Sequence, residues 1–183
     1  MALVFEVLTG LPAYGEAAEA FSRTGIGLHS EGLVVKFEPH DQRSWVGNFI
    51  RGLTGFDWVH EHPNGREILV VAGGQGYVVN PASHEVTSSF GGVLLDAHLY
   101  LPRNAIIFNH QDISFRAICQ SGTLWESRRV SWDGLRSVQV IGNILSGEAW
   151  HFDDSWHRFE LDLDTGAVRG GSYEEIPLTS RAT

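Results

Sequence analysis

Histidine and aspartate recur in three short clusters of this 183-residue sequence, and both residue types bind metal ions and carry protons. The clusters are His60-Glu61-His62, His110-Gln111-Asp112 and His151-Phe152-Asp153-Asp154. On a β-strand, residues i and i+2 face the same side, so His60 and His62 can chelate one ion. The same spacing relates His151 and Asp153. These four residues are candidate ligands of a divalent cation, and polar surface turns are the alternative explanation for them.

Catalytic motifs with a fixed spacing are missing from the sequence. A structural metal site needs about four ligands, and no second pair at a motif spacing accompanies either candidate pair. Serine, histidine and aspartate are plentiful, but GxSxG, HExxH and GxxxxGK[ST] do not occur. The glycine-rich segment 73–76 is best explained as a tight hairpin. We therefore expect no obligatory cofactor, and an enzyme is the less favoured class.

Aromatic side chains make a stronger case for binding than for chemistry. Four tryptophans fall at or near the ends of predicted strands, where an indole ring can anchor a partner or cap the fold: Trp45, Trp125, Trp132 and Trp156. The set of candidate binding residues is Trp45, Trp125, Trp156, His110, Asp112 and Asp154.

The elements that position these side chains repeat along the chain. Segments 68–86, 106–124 and 150–168 align without a gap, and apolar residues coincide at four places. The coinciding sets are Ile68, Ile106 and Trp150; Val70, Phe108 and Phe152; Tyr77, Phe115 and Phe159; and Val86, Leu124 and Val168. Turn-forming residues lie between them, so each block predicts strand, turn, strand, turn and the start of another strand.

A weaker fourth copy precedes these blocks. Ile26 and Leu28 align with Ile68 and Val70, and Val35 aligns with Tyr77. One further β-rich run precedes each block, at 3–8, 56–60, 94–101 and 135–141. The pattern predicts an all-β domain over 1–173, built from four tandem, four-stranded antiparallel units of about 40 residues. The unit bounds are 3–50, 53–91, 93–130 and 135–173.

Tandem four-stranded units of this length are typical of β-propeller blades. Segment 161–166, which reads LDLDTG, resembles the strand-turn-strand corner of quinoprotein-like and YVTN-like propeller repeats. The resemblance implies a propeller-like architecture and no particular activity. Equivalent blade positions gather around one mouth of a propeller, so we expect His110 and Asp154, which align with each other, at the same mouth.

Four blades leave three arrangements open. The chain can close alone, two chains can pair into an eight-bladed ring as a homodimer, or the blades can form an open arc. Alanine and glutamate occur at helical density over 14–23, which predicts a short helical insertion there. Residues 174–183 are expected to form a polar tail.

Charge and composition restrict the partners. The formal net charge is −9, with 13 Lys+Arg against 22 Asp+Glu, which disfavours nucleic acid and anionic membranes. No apolar stretch is long enough to span a membrane, and the N-terminus has no signal-peptide pattern, so we expect the cytoplasm. An acidic surface favours a basic protein partner or a cation.

Two functional hypotheses follow. The first is a non-catalytic binding module that recognises a protein partner; neutralisation of a basic toxin by an immunity protein is one such role by analogy. The second is an enzyme or small-ligand or metal-binding protein that uses His110, Asp112, Asp154 or the pair His60 and His62 at the mouth.

Overall fold

Four four-stranded sheets make up the fold, and they follow one another in the order of the chain. The computed structural model describes residues 4–15, 17–23, 30–40 and 42–173. We number the sheets 1 to 4. The all-β architecture of four four-stranded units predicted from the repeat is confirmed. Within the described residues no helix has the length and apolar character needed to cross a membrane.

Sheet 1 departs from the simple repeat. It contains β1 (Val4–Leu8), β2 (Glu19–Phe21), β3 (Leu33–Glu38) and β4 (Trp45–Phe49), in the spatial order β1-β3-β4-β2. Strand β2 lies parallel to β4, whereas β3 is antiparallel to both of its neighbours. A strand from earlier in the chain therefore occupies the fourth position of this sheet.

The helical insertion predicted over 14–23 is wrong within the described part of that segment, because β2 lies there instead. The Phe21 ring stacks on Phe49 with centroids 5.1 Å apart and meets the Trp45 ring edge-on at 6.0 Å. Burial of this aromatic ring outweighs the helix propensity of alanine and glutamate, which is a weak preference.

Sheets 2, 3 and 4 are antiparallel meanders in chain order. Sheet 2 contains β5 (Trp58–Glu61), β6 (Ile68–Ala72), β7 (Gln75–Asn80) and β8 (Glu85–Gly91). Sheet 3 contains β9 (Leu94–Tyr100), β10 (Ala105–His110), β11 (Ser114–Cys119) and β12 (Gly122–Glu126). Sheet 4 contains β13 (Leu135–Ile141), β14 (Ile144–Trp150), β15 (Trp156–Asp162) and β16 (Val168–Gly170).

Three apolar clusters hold the sheets face to face, one between each consecutive pair. Their large buried members include Phe37, Phe49 and Tyr77 between sheets 1 and 2; Leu69, Leu94 and Phe108 between sheets 2 and 3; and Phe115, Leu145 and Phe159 between sheets 3 and 4. Among the described residues no cluster joins sheet 4 to sheet 1. Within the described residues the sheets therefore form an open stack in which sheets 1 and 4 are the terminal sheets.

The ungapped alignment predicts burial in the third strands but not every residue's face, and it is incorrect for part of the second strands. Tyr77, Phe115 and Phe159 are each 1% exposed in β7, β11 and β15. Tyr77 and Phe159 pack against the preceding sheet, whereas Phe115 packs against the following sheet, because the β10–β11 turn is one residue longer than the β6–β7 turn. Phe152 was aligned with the fully buried Phe108, yet it is 66% exposed in the turn that follows β14. The turn at 151–155 is longer than its counterpart at 111–113, which shifts the second strand of sheet 4 towards the N-terminus.

In the first repeat copy Val35 lies in β3 and is buried, as is Tyr77 in β7. Strands β3 and β7 both begin beside connection 50–57 and run in the same direction, so the structure does not contradict the alignment of Val35 with Tyr77. Ile26, Leu28 and the tail at 174–183 lie outside the described residues.

Backbone hydrogen bonds join one end of the stack across sheet boundaries. We call this end the bridged end. It is formed by connections 50–57, 91–93 and 127–134 and by turns 73–74, 111–113 and 151–155. The bonds are Gly52 N to Ala72 O, Gly92 N to Gly74 O, Gln111 N to Val93 O, Val130 N to Ile113 O and Trp132 N to Trp150 O. Connections 91–93 and 127–134 thus contact hairpins of both sheets that they link, and connection 50–57 contacts the β6–β7 hairpin of sheet 2.

Candidate functional site

Trp45 and Trp125 lie in the core and join neighbouring sheets. Trp45 is 5% exposed, and its Nε1 donates a 2.8 Å hydrogen bond to the carbonyl of Pro81. Trp125 is 8% exposed, and its Nε1 donates a 3.0 Å hydrogen bond to the carbonyl of Leu163. Both rings therefore perform the packing role that was the alternative to partner binding.

His60 and His62 lie at and just beyond the end of β5. The His60 ring stacks on Trp58 at 5.0 Å, and its Nδ1 is 2.8 Å from the carbonyl of Glu61. His62 is 5% exposed and accepts a 3.1 Å hydrogen bond at Nδ1 from the Asn64 amide. Burial lowers the pKa of His62. Within the described chain this pair gains no third metal ligand.

His110 borders a cavity of about 210 Å³ between sheets 2 and 3, at the bridged end. Arg116 and Glu126 also line it, and burial together with the charge of Arg116 lowers the pKa of His110. Asp112 accepts a 2.6 Å hydrogen bond from the Asn109 side chain in the β10–β11 turn. Asp154 lies at the same end but does not line this cavity.

The hairpin between β14 and β15 brings several polar side chains together. His151, Asp153 and Asp154 occupy its turn, and His157 follows on β15. His151 N donates to Ser155 O at 2.9 Å and Asp154 N donates to His151 O at 3.0 Å, with Asp154 at a φ of 65°. These backbone hydrogen bonds fix the conformation of the turn that carries His151, Asp153 and Asp154.

Ser155 links the carboxylate of Asp153 to the imidazole of His157. Its hydroxyl donates to Asp153 Oδ1 at 2.5 Å and lies 2.8 Å from His157 Nε2. In a serine hydrolase the histidine accepts the serine proton and the acid orients the histidine. Here the serine hydroxyl lies between the acid and His157, so the acid contacts the serine instead of orienting that histidine as in such a relay.

A group of aromatic rings, in which Phe152 is exposed and Trp132 and Tyr173 are half-buried, lies beside the hairpin. The Trp132 ring centroid is 5.7 Å from that of Phe152 and 5.0 Å from that of Tyr173. The Arg129 guanidinium lies 4.6 Å from the Tyr173 ring centroid and 5.4 Å from that of Trp132. We call these four residues the aromatic surface. Phe152 is its most protruding member.

Hydrogen bonds hold the aromatic surface in place. Arg129 Nε donates to the carbonyl of Ser131 at 2.8 Å. Arg128 donates to the carbonyls of Tyr173 at 3.0 Å and Gly170 at 2.6 Å, so it ties connection 127–134 to the end of sheet 4. These bonds fix the backbone that carries Trp132 and Tyr173.

Trp156 lies apart from this group, on the outer face of sheet 4. The Arg136 guanidinium is 4.1 Å from its ring centroid, and Arg136 also donates a 2.8 Å hydrogen bond to Glu148. Trp156 is half-buried in this arrangement.

His157, Tyr173 and the exposure of Phe152 were not predicted from the sequence, and Trp132 was recognised only as one of several strand-end tryptophans. Pairs at i and i+2 were considered as ligands, whereas His151 and His157 meet across a hairpin at i and i+6. The turn predicted at 153–155 contained part of the signal for this pairing. The contact between Trp132 and Tyr173 joins two distant connections and has no local signal.

Comparison with protein-family models finds no matching family, and comparison with curated proteins finds no matching relative.

Proposed function

We propose that this protein is a non-catalytic binding module that recognises a basic protein partner through the aromatic surface at its bridged end. The observation that carries the proposal is the 66% exposure of Phe152 on top of pre-organised Trp132 and Tyr173 rings. Tryptophan, tyrosine and arginine are the residue types that dominate binding energy in protein interfaces.

The charges around the aromatic surface support a basic partner. Asp133, Asp153 and Asp154 are exposed next to it in the chain, and the net charge of the whole protein is −9. The two arginines of the region, Arg128 and Arg129, bond to backbone carbonyls. Lysine and arginine side chains of a partner would meet aromatic faces and carboxylates, and both attract cations.

Affinity capture from the host with quantitative mass spectrometry tests the proposal. Wild-type protein is compared with Phe152→Ala and with Leu53→Ala, because Leu53 is 88% exposed at the same end but lies outside the aromatic surface. We expect a basic protein that is enriched by wild type and by Leu53→Ala and lost with Phe152→Ala. Purified partner should bind Phe152→Ala about 10-fold more weakly or worse, as at an interface hot spot.

The same capture can contradict the proposal. If no protein is enriched over an unrelated bait, or if Phe152→Ala retains every enriched protein at wild-type level, the aromatic surface is not a recognition site. An enriched partner that is acidic would overturn the charge argument.

A further inference from the structure

Two histidines and one aspartate converge at the β14–β15 hairpin. His151, Asp153 and His157 each offer one ligand atom, and the three atoms all lie within 4.8 Å of one another. Across the described residues this is the only group of three or more such side chains. We propose that this hairpin binds a divalent transition-metal ion of the zinc class through these three side chains. None of them belongs to the aromatic surface.

The backbone positions the ligands without help from a metal. Strands β14 and β15 pair up to the contact of Trp150 with Trp156, and His157 lies opposite Ala149. The hydrogen bond from His151 N to Ser155 O closes the turn just beyond this pair. A pre-organised hairpin loses little conformational entropy when its side chains take up an ion.

An unsatisfied nitrogen points to a missing partner. His151 Nδ1 is buried and makes no hydrogen bond. Asp153 Oδ1 is 2.8 Å from this nitrogen and already accepts hydrogen bonds from the Ser155 amide and hydroxyl. A cation beside Nδ1 and the carboxylate would give the nitrogen a partner.

Ser155 keeps two of the ligands together in the metal-free protein. Its hydroxyl contacts both Asp153 and His157 and is a neutral group between a carboxylate and an imidazole. The two ligand side chains are therefore held near each other before an ion binds.

The donor set selects the metal. Two imidazole nitrogens and one carboxylate suit zinc, nickel or copper, whereas calcium and magnesium prefer oxygen ligands throughout. Donors around a tetrahedral zinc with bonds of about 2.0 Å are about 3.3 Å apart, so no pair of these ligand atoms would have to approach by more than about 1.5 Å. Three protein ligands leave at least one position for water or another ligand.

Isothermal titration calorimetry of the chelator-treated, full-length protein with zinc chloride tests the site. We expect one saturable site in wild type and at least a 10-fold loss of affinity in His157→Ala and in Asp153→Asn. His98→Ala is the matched control, because His98 pairs with Asp96 at 3.3 Å and has no third ligand. Tyr173→Ala should retain zinc affinity, because Tyr173 belongs to the aromatic surface but contacts Trp132 and Arg129 rather than a proposed ligand. Phe152 is unsuitable for this control, since its ring packs on His151 with centroids 4.0 Å apart.

Cobalt provides a second measurement that reports the location. Paramagnetic Co²⁺ should selectively broaden the amide NMR signals of residues 150–158 in wild type and leave them sharp in His157→Ala. The proposal is overturned if zinc gives no saturable heat, if His157→Ala and Asp153→Asn bind like wild type, or if cobalt broadens another region. Saturation by magnesium at an equal concentration would overturn the assignment to the zinc class.

Discussion

Two buried tryptophans perform the same task at alternate sheet boundaries. Trp45 reaches from sheet 1 to Pro81 of sheet 2, and Trp125 reaches from sheet 3 to Leu163 of sheet 4. Pro81 and Leu163 hold equivalent places in the turns between third and fourth strands. Because each indole N–H has a carbonyl partner in the next sheet, each ring contributes both apolar burial and a directed hydrogen bond.

Replacement of Trp125 by phenylalanine should lower the free energy of unfolding by about 1 to 3 kcal/mol, because the Leu163 carbonyl loses its buried donor. Urea denaturation followed by circular dichroism measures the change. Trp156→Phe is the control, since Trp156 is half-buried beside Arg136 on the outer face and should cost less. Equal losses in the two variants would contradict the bridging role.

The stability of the protein should fall as the pH drops below about 6.5, and His62 should cause part of the fall. Burial lowers the pKa of His62, while the nearby Glu67 acts in the opposite sense. The unfolded chain therefore takes up a proton at a pH where folded His62 stays neutral, and protonation favours unfolding. The lowered pKa of His110 acts in the same direction.

Urea midpoints measured across this pH range test the assignment. His62→Gln should reduce the loss of stability between neutral and mildly acidic pH, whatever its effect at neutral pH. A variant whose stability falls as steeply as that of wild type would show that other groups cause the acid sensitivity.

At the scale of elements, the β6–β7 hairpin shows how turn chemistry fixes the bridged end. Gly74 has a φ of 83°, its amide donates to Phe56 O, and its carbonyl accepts from Gly92 and Leu94. A Cβ at this position would lie 2.4 Å from Thr54 Oγ1 and 2.7 Å from Leu94 O. The close approach of three chain segments therefore requires glycine.

Gly74→Ala should destabilise the protein by more than about 2 kcal/mol, because backbone strain adds to a steric clash. Gly142→Ala is the matched control, since Gly142 also has a positive φ of 64° but no atom within 4 Å of the new Cβ. It should lose about 1 kcal/mol from strain alone. Thermal and urea unfolding of both variants measure the difference, and comparable losses would contradict the packing argument.

At the scale of the whole molecule, the stack ends in two polar faces. Arg136, Glu148 and Arg158 are cross-strand neighbours on the outer face of sheet 4, with alternating charge. Glu6 and Lys36 are neighbours on the outer face of sheet 1. Terminal units of repeat proteins are soluble when their outer face is polar. These faces suit solvent better than another sheet.

We expect the purified protein to be a monomer of 20.2 kDa in sedimentation equilibrium, at both low and high salt. In an eight-bladed ring the charged side chains on the outer faces of sheets 1 and 4 would have to lose their hydration. This loss is costly unless every charge is paired. A stable dimer would contradict this prediction. Dissociation of such a dimer at high salt would point to the charged faces as its interface.

The repeat period, the turn residues and the buried third-strand aromatics could be predicted from the sequence, because each depends on local patterns of about 40 residues or fewer. The four-stranded units follow from the same information. His151 and Asp153 could be proposed as ligands, since their spacing alone suggests a shared side.

Only the tertiary structure decided which residues complete these patterns. Strand β2 replaces a helix because Phe21 packs on Phe49, which is distant in sequence. Phe152 is exposed because a longer turn shifts the register of β14, and a shift by a few residues moves side chains from the core to solvent. His157 joins His151 and Asp153 because a hairpin brings distant positions together. Local sequence determines the repeating unit, whereas contacts between distant residues determine where a sheet departs from the repeat. Both proposed binding regions lie at one such departure, the longer turn between β14 and β15.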